Sequence, residues 1–395
     1  MKRKTEMTKV GIGLIGCGGM GMNVARDVLA QDPRLEVRAL HDPDPRSIRH
    51  ALDSANPDAT VYEDLDAMVN DPDIQWVMIA SWNCFHKDHA VAALEAGKDV
   101  FCQKPLATTM DDALSIYRTW LNSGRMFCMG FNLRRSPHYR KLKALLNDGV
   151  IGDVVSMDFN ETLDFNLGGY IFGDWRRLRE NSGPFLLEKC CHDIDLANWM
   201  LDSHATRVAS FGGLNFFVPE NEGHVQRVGP NKEGKAAFQS LDHRGITLNP
   251  FTSDKDIVDN QVSILEYANG ARASFHLNAS GGLVERRMYI VGSEGALRAD
   301  VTTGVIEVQR IGWDTKIGTI VTVEGGGHGG GDEILAEELA ASMLQGIPPT
   351  VGLEEGLTSA VACFAIDEAM TSGQVVDVQP YWQQVEALKS AAAGA

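Results

Sequence analysis

Lys104, set in Gln103-Lys104-Pro105, and the trio Glu188, His192 and Asp195 are the residues of this 395-residue chain best suited to move a proton and steady a developing negative charge. Spacings of four and three put Glu188, His192 and Asp195 on one face of a helix. An acid beside a histidine orients the imidazole and raises its basicity, as removal of a hydroxyl proton requires. A lysine ammonium stabilises the alkoxide that results. A further group could hold phosphate: Gly16-Cys17-Gly18-Gly19-Met20-Gly21 directly follows the apolar run Val10 to Ile15. Gly16 permits a tight strand-to-helix turn, Gly18 close approach of a pyrophosphate, and Gly21 close packing of helix on strand. Asp42 stands about 20 residues on, where an acid accepts both hydroxyls of a ribose and repels a 2′-phosphate. The pattern therefore favours NAD over NADP, with Arg46 read as a solvated first-turn arginine.

Two loops should carry the rest of the first site. Ser81-Trp82-Asn83-Cys84-Phe85-His86 follows a strand ending at Ala80, and Gln103-Lys104-Pro105 follows one ending at Cys102. In a doubly wound sheet ligands sit at that carboxyl edge, which puts Lys104 beside a nicotinamide. Upstream of the histidine helix, Gly173-Asp174-Trp175-Arg176-Arg177 offers an aromatic plane and planar cations for stacking on a pyranose or gripping an anionic group. Cys190-Cys191-His192-Asp193 cannot supply three ligands to one ion, because neighbours on a helix point about 100° apart, so no metal is expected. No G-x-S-x-G follows a strand, which leaves a serine nucleophile without support.

These residues need an α/β scaffold. Val10 to Ile15, Leu35 to Leu40, Trp76 to Ala80, Asp99 to Cys102 and Met126 to Met129 read as strands alternating with helices, including His86 to Ala96 and Met110 to Asn122. That alternation specifies an N-terminal Rossmann domain with a parallel sheet, residues 1–131. A helix from Pro137 to about Asn147 leads into longer alternating strands, with hairpin signals at Asn269-Gly270 and Ser293-Glu294-Gly295. Residues 132–395 are therefore expected to form an α/β domain on a large, open, mostly antiparallel sheet. The helix Leu186 to Leu201 should be amphipathic, with Leu187, Cys191, Ile194 and Trp199 opposite the acid-histidine face. Residues 219–250 read as a surface insertion, and 325–331 as a mobile glycine-rich loop leading to Asp332 as N-cap. Helices at Glu333 to Leu344 and Gly352 to Met370 close the chain.

Composition narrows the partners. A net charge of −17 argues against nucleic acid or an anionic membrane. Seven cysteines at no disulfide-like spacing fit a reducing compartment. The polar stretch Met1 to Thr8 lacks the apolar core of a signal peptide and no run of about 18 apolar residues occurs, so a cytoplasmic protein is expected.

With these pieces in place the chain resembles the Gfo/Idh/MocA family, the glucose-fructose oxidoreductase and inositol dehydrogenase group. The resemblance rests on the glycine fingerprint with Met20, Ser81-Trp82-Asn83 with His86, Gln103-Lys104-Pro105, Gly130-Phe131-Asn132, Asp174-Trp175-Arg176, and Glu188 through Asp195. It implies NAD(P) dependence and a homodimer or homotetramer, with Gln103 and Asn132 joining the cofactor site. The family's Glu-Lys-Pro motif carries over to Gln103, Lys104 and Pro105, and its Asp-x-x-x-His pair to Glu188 and His192. Gln103 thus replaces a glutamate, Glu188 an aspartate, and Trp82 a proline.

The expected activity is oxidation of a ring secondary hydroxyl of a sugar, sugar acid or inositol-like polyol to a ketone. His192 would act as base, oriented by Glu188 or Asp195, with Lys104 on the alkoxide and Tyr170, Trp175, Arg176 and Lys189 lining the substrate. An alternative reaction class is NAD-dependent glycoside hydrolysis, in which the sugar is oxidised, eliminates its aglycone and is re-reduced. That route needs a further base, for which Lys189, Tyr170 or His276 would serve. A non-catalytic sensor would have lost Lys104 or His192, and both are present.

Overall fold

The computed structural model describes residues 9–238, 248–322 and 327–394. The chain divides into two compact units, the first comprising Met1–Ser136, Gly326–Leu357 and Val385–Ala395, the second Pro137–Gly325 and Thr358–Gln384. A sequence cut at residue 131 is thus followed by two returns of the chain to the first unit. The reason lies in the helix Gly331–Gln345, whose Leu335, Leu339 and Met343 share one buried cluster with Ile12, Leu14, Met22, Val28 and Trp76.

Strands β1 (Val10–Ile15), β2 (Leu35–His41), β3 (Thr60–Val61), β4 (Trp76–Ile79), β5 (Asp99–Cys102) and β6 (Phe127–Met129) form the first unit's sheet, in the order β3-β2-β1-β4-β5-β6. All its pairs are parallel. Apolar residues on both strand faces, such as Ile12, Leu14 and Ile15 in β1, suit a sheet covered on both sides. Helix starts follow the local chemistry. Asp44 caps Pro45–Ser54 by accepting from the Arg46 N–H, and Thr109 caps Met110–Ser123 by accepting from the Asp112 N–H.

The second unit holds β7 (Val154–Asp164), β8 (Ala205–Gly213), β9 (Asn260–Tyr267), β10 (Arg272–Gly281), β11 (Arg287–Gly292), β12 (Gly295–Asp300), β13 (Val305–Arg310), β14 (Gly318–Val321) and β15 (Val376–Asp377). Among the described residues they make one sheet, β14-β13-β12-β11-β7-β10-β9-β8-β15, antiparallel except for the β7–β10 pair. Strand alternation gives it two unlike faces. Phe159, Phe275 and Leu277 point to the buried face, which also carries Glu161; Phe211, Val262, Ile264 and His276 point to the outer one.

Several expectations need correction. The helix Phe185–Leu201 is buried on almost every side, its half-covered members being Lys189 and Trp199, so it is not amphipathic. Asp332 lies within the first turn of its helix, behind Gly330 as N-cap; its carboxylate is taken by the Asn132 amide and by His328 Nδ1 at 2.9 Å. A third helix, Gln379–Ala393, closes the chain. Part of the expected insertion packs inward: Phe238, with Phe251 just beyond the insertion, is buried beside Phe216 and Phe217. Residues 239–247 of that insertion, 325 and 326 of the glycine loop, and Met1 to Thr8 lie outside the described residues.

Candidate functional site

In the first unit, β1 ends at a turn that only glycine fits. Gly16 has φ +86°, and a Cβ on it would lie 2.5 Å from the backbone of Ala80 and Ser81. A Cβ on Gly21 would lie 2.0 Å from the Gly16 carbonyl oxygen, whereas Gly18 and Gly19 face open space at the start of the helix Gly19–Leu29. The open pair at a helix N-terminus is a cradle for pyrophosphate. Asp42 is held beside it, accepting from the Cys17 N–H at 2.7 Å and the Asp44 N–H at 2.8 Å. Arg46 lies against Asp44 at 3.0 Å, in keeping with the solvated arginine expected.

The two strand-end loops are stapled together by His86. Its fully buried ring approaches the Pro105 carbonyl with Nδ1 at 2.7 Å and the Ser81 carbonyl with Nε2 at 3.2 Å. Burial holds its pKa below the usual imidazole value. His86 was expected to touch the cofactor; with both ring nitrogens on backbone carbonyls and no exposed surface, it instead positions the loop of Lys104. Ser81 is drawn inward as well, its Oγ 2.9 Å from His89 Nδ1, while Asn83 is buried and Trp82 and Met20 remain exposed. At the end of β5 and just past β6, two buried polar atoms find no hydrogen-bond partner among the described residues: Gln103 Nε2, a donor, and Asn132 Oδ1, an acceptor. Together with the cradle and Asp42, these open valences fit an NAD molecule along the carboxyl edge.

In the second unit, Glu188, His192 and Asp195 are 6, 4 and 1 % exposed, which rules out a solvated charged face. Arg176 holds Glu188 by its Nε at 3.1 Å and donates from Nη1 to the Tyr170 hydroxyl at 2.7 Å. Its guanidinium lies 4.3 Å from the centre of the Trp175 ring and 3.5 Å from Asp174. The structure thus unites Tyr170, Trp175, Arg176 and Glu188. Arg176 is one cation between two carboxylates, and Arg177 is paired with Asp254 at 2.8 Å. Both arginines are thus already engaged by carboxylates.

Sequence reasoning missed the network behind this face. Arg286 grips Asp193 with Nε and Nη2 at 2.8 and 2.7 Å and Glu161 at 2.6 Å, and Glu161 lies 3.6 Å from Lys189. Burial and the neighbouring Glu161 charge push the Asp193 carboxyl upward against the pull of Arg286. Lys189 and Asp193, one turn apart on the helix, were the available signal. His276 is a further correction: it stands on the outer face of β10, while Glu161 and Phe275 face the helix that carries His192. Among the described residues no group of three or more His, Cys, Asp or Glu is gathered for a metal, and no helix is long and apolar enough to cross a membrane.

Comparison with known proteins adds the following. Residues 10–131 match a family model described as an oxidoreductase family with an NAD-binding Rossmann fold, and residues 143–378 match its C-terminal α/β domain. The inositol 2-dehydrogenase/D-chiro-inositol 3-dehydrogenase of Lactiplantibacillus plantarum is 30% identical over 227 residues, 56% of this chain and 59% of that protein. The 2,7-anhydro-N-acetylneuraminate hydratase of Mediterraneibacter gnavus is 26% identical over 295 residues, 75% of this chain and 68% of that one. A levoglucosan dehydrogenase solved with NADH and levoglucosan superposes with a TM-score of 0.76 over 94% of this chain and 100% of its own, at 21% identity, a likeness of fold.

Proposed function

Because the chain belongs to the Gfo/Idh/MocA oxidoreductases, with residues 10–131 as the NAD-binding Rossmann domain and 143–378 as the C-terminal α/β domain, we propose that it oxidises a ring secondary hydroxyl of a neutral sugar or cyclic polyol to a ketone. The observation that carries this reading is the burial of the Glu188–His192–Asp195 face. Burying two carboxylates and an imidazole is costly unless they are engaged, and a face kept dry at that cost serves chemistry better than solubility.

His192 Nε2 or Nδ1 takes the hydroxyl proton. Glu188, fixed by Arg176, and Asp195 on the next turn stabilise the imidazolium that forms. Lys104, whose loop is fastened by His86, holds the developing alkoxide. Gly16, Gly18, Gly19, Gly21 and Asp42 hold the dinucleotide, whose nicotinamide supplies a hydride acceptor when bound. The reading requires Lys104 and His192 to act on one carbinol. A neutral substrate is favoured because Arg176 and Arg177 are each neutralised by carboxylates. Inositol and levoglucosan, named for the relatives above, are the first compounds to try.

His192→Ala and Lys104→Met should each lower turnover by about 10² or more, the size of one general-base contribution, in an assay of NADH formation over sugars and polyols. Native rates in both variants would defeat the assignment.

The hydratase relative favours a second reading, oxidation followed by elimination at the neighbouring carbon and re-reduction. Its extra base is poorly supplied. Burial raises the Tyr170 pKa and Arg176 occupies its oxygen, His276 faces outward, and Lys189 is paired with Glu161. Aglycone release from glycosides without NADH accumulation would select this route over the first.

For assembly, the outer sheet face supports the homo-oligomer that the family resemblance implies. Phe211 and Ile264 on adjacent strands are 76 and 60 % exposed there, a degree of apolar exposure that marks an interaction surface.

A further inference from the structure

Gln103 stands at the carboxyl end of β5, its N–H donating to the Ile79 carbonyl at 2.9 Å. The residue is 7 % exposed, and its side chain lies across Gly130, where a Cβ would come within 2.7 Å of Oε1. Glycine at 130 therefore makes room for this side chain. Its Nε2 nonetheless has no hydrogen-bond partner among the described residues. A buried donor left unmet is expensive, and this one sits where the second half of a doubly wound sheet receives a ligand. Asp42, at the end of β2, marks the opposite, adenosine half.

We propose that Gln103 is an uncharged contact to the nicotinamide half of the bound dinucleotide and that, by keeping a carboxylate out of that place, it biases the chain toward the reduced cofactor. This rests on the NAD-dependent reading above. The oxidised nicotinamide ring carries a positive charge and the reduced ring carries none, so an anion at this position would stabilise the oxidised form alone. An amide donates its hydrogen bond to either form without that preference. The ammonium of Lys104, next in sequence, acts in the same direction, since a cation disfavours a second cation nearby. NADH is thereby retained more firmly than it would be beside a glutamate, the residue the resembling motif carries here.

The test measures the dissociation constants of NAD+ and NADH for the whole chain, by calorimetry and by NADH fluorescence, at about pH 8, where a raised carboxyl is still ionised. Gln103→Glu should lower the ratio Kd(NAD+)/Kd(NADH) about tenfold, a modest share of the Coulomb energy of two charges several ångströms apart. Gln103→Met removes the donor without adding charge; it should weaken both forms about fivefold and leave the ratio where it was. A ratio unmoved by Gln103→Glu overturns the proposal, and so do native affinities in Gln103→Met. Should Gln103→Glu fail to fold, judged by its thermal unfolding, Gln103→Lys decides the bias instead: a cation there should raise the ratio Kd(NAD+)/Kd(NADH), and an unmoved ratio overturns the proposal. A native chain that binds neither nucleotide defeats the functional reading and this inference with it; native binding with an unmoved ratio defeats this inference alone.

Discussion

Arg286 ties the helix of His192 to the neighbouring sheet through Asp193 and Glu161. It satisfies Asp193 with two hydrogen bonds and Glu161 with a third contact, and through Glu161 it reaches Lys189. Removing one partner of a buried ion pair leaves uncompensated charge, so Arg286→Met should cost about 3–5 kcal/mol. Urea denaturation of the variant would measure the loss. The double substitution Arg286→Met, Asp193→Leu should recover part of it, because the stranded carboxylate is then gone. Equal loss in both variants would mean that Arg286 contributes through packing instead of charge. Arg176 differs in kind: it stacks on Trp175 and meets Glu188 at the edge of the same face, where a change in hydrogen bonding reaches the proposed base directly.

At the level of elements, His89 links the helix His86–Glu95 to the loop after β4 through Ser81. Burial, with the nearby His86 and His41, pushes its pKa down to about 4 from 6.5. The neutral ring is favoured by folding, so its contribution is complete above about pH 6.5 and disappears as the pH falls toward 4, where the unfolded chain binds the extra proton. The loss amounts to about 3 kcal/mol, and His138, also held low by burial, adds in the same sense. Denaturation midpoints between pH 7 and 5 should fall for the native chain and less steeply for His89→Gln; parallel curves would rule this out. Local features of this kind differ in how far sequence discloses them. The Gly16 turn and Asp42 were legible because strand, glycines and acid follow one another along the chain. The trio Glu188, His192 and Asp195 was legible because helical spacing fixes its common face. The staple made by His86 was not, since its partner carbonyls belong to two loops that only the folded sheet brings together. Nor was the Arg286–Asp193 pair, whose members lie far apart along the chain. Alternation in β10 puts His276 opposite Phe275, yet which face receives the helix depends on packing that strand periodicity does not encode.

At the scale of the whole molecule, two features bear on function. The outer sheet face exposes Phe211, Val262 and Ile264 in adjoining strands, and charges there should break any assembly it supports. Phe211→Glu with Ile264→Asp should convert an oligomer to a monomer by light scattering with little loss of thermal stability, because neither side chain belongs to the core; an unchanged mass would point to another surface. The second feature is the pair of groups on which the proposed chemistry rests: Lys104, and His192 with its neighbouring carboxylates. Groups that act together on a single substrate atom give strongly non-additive losses when removed singly and together. The decisive measurement is therefore the turnover of Lys104→Met, His192→Ala and the double variant on the best sugar or polyol substrate. The account predicts that the double variant is about as slow as the worse single one; losses that multiply, or native turnover in either single variant, would contradict it.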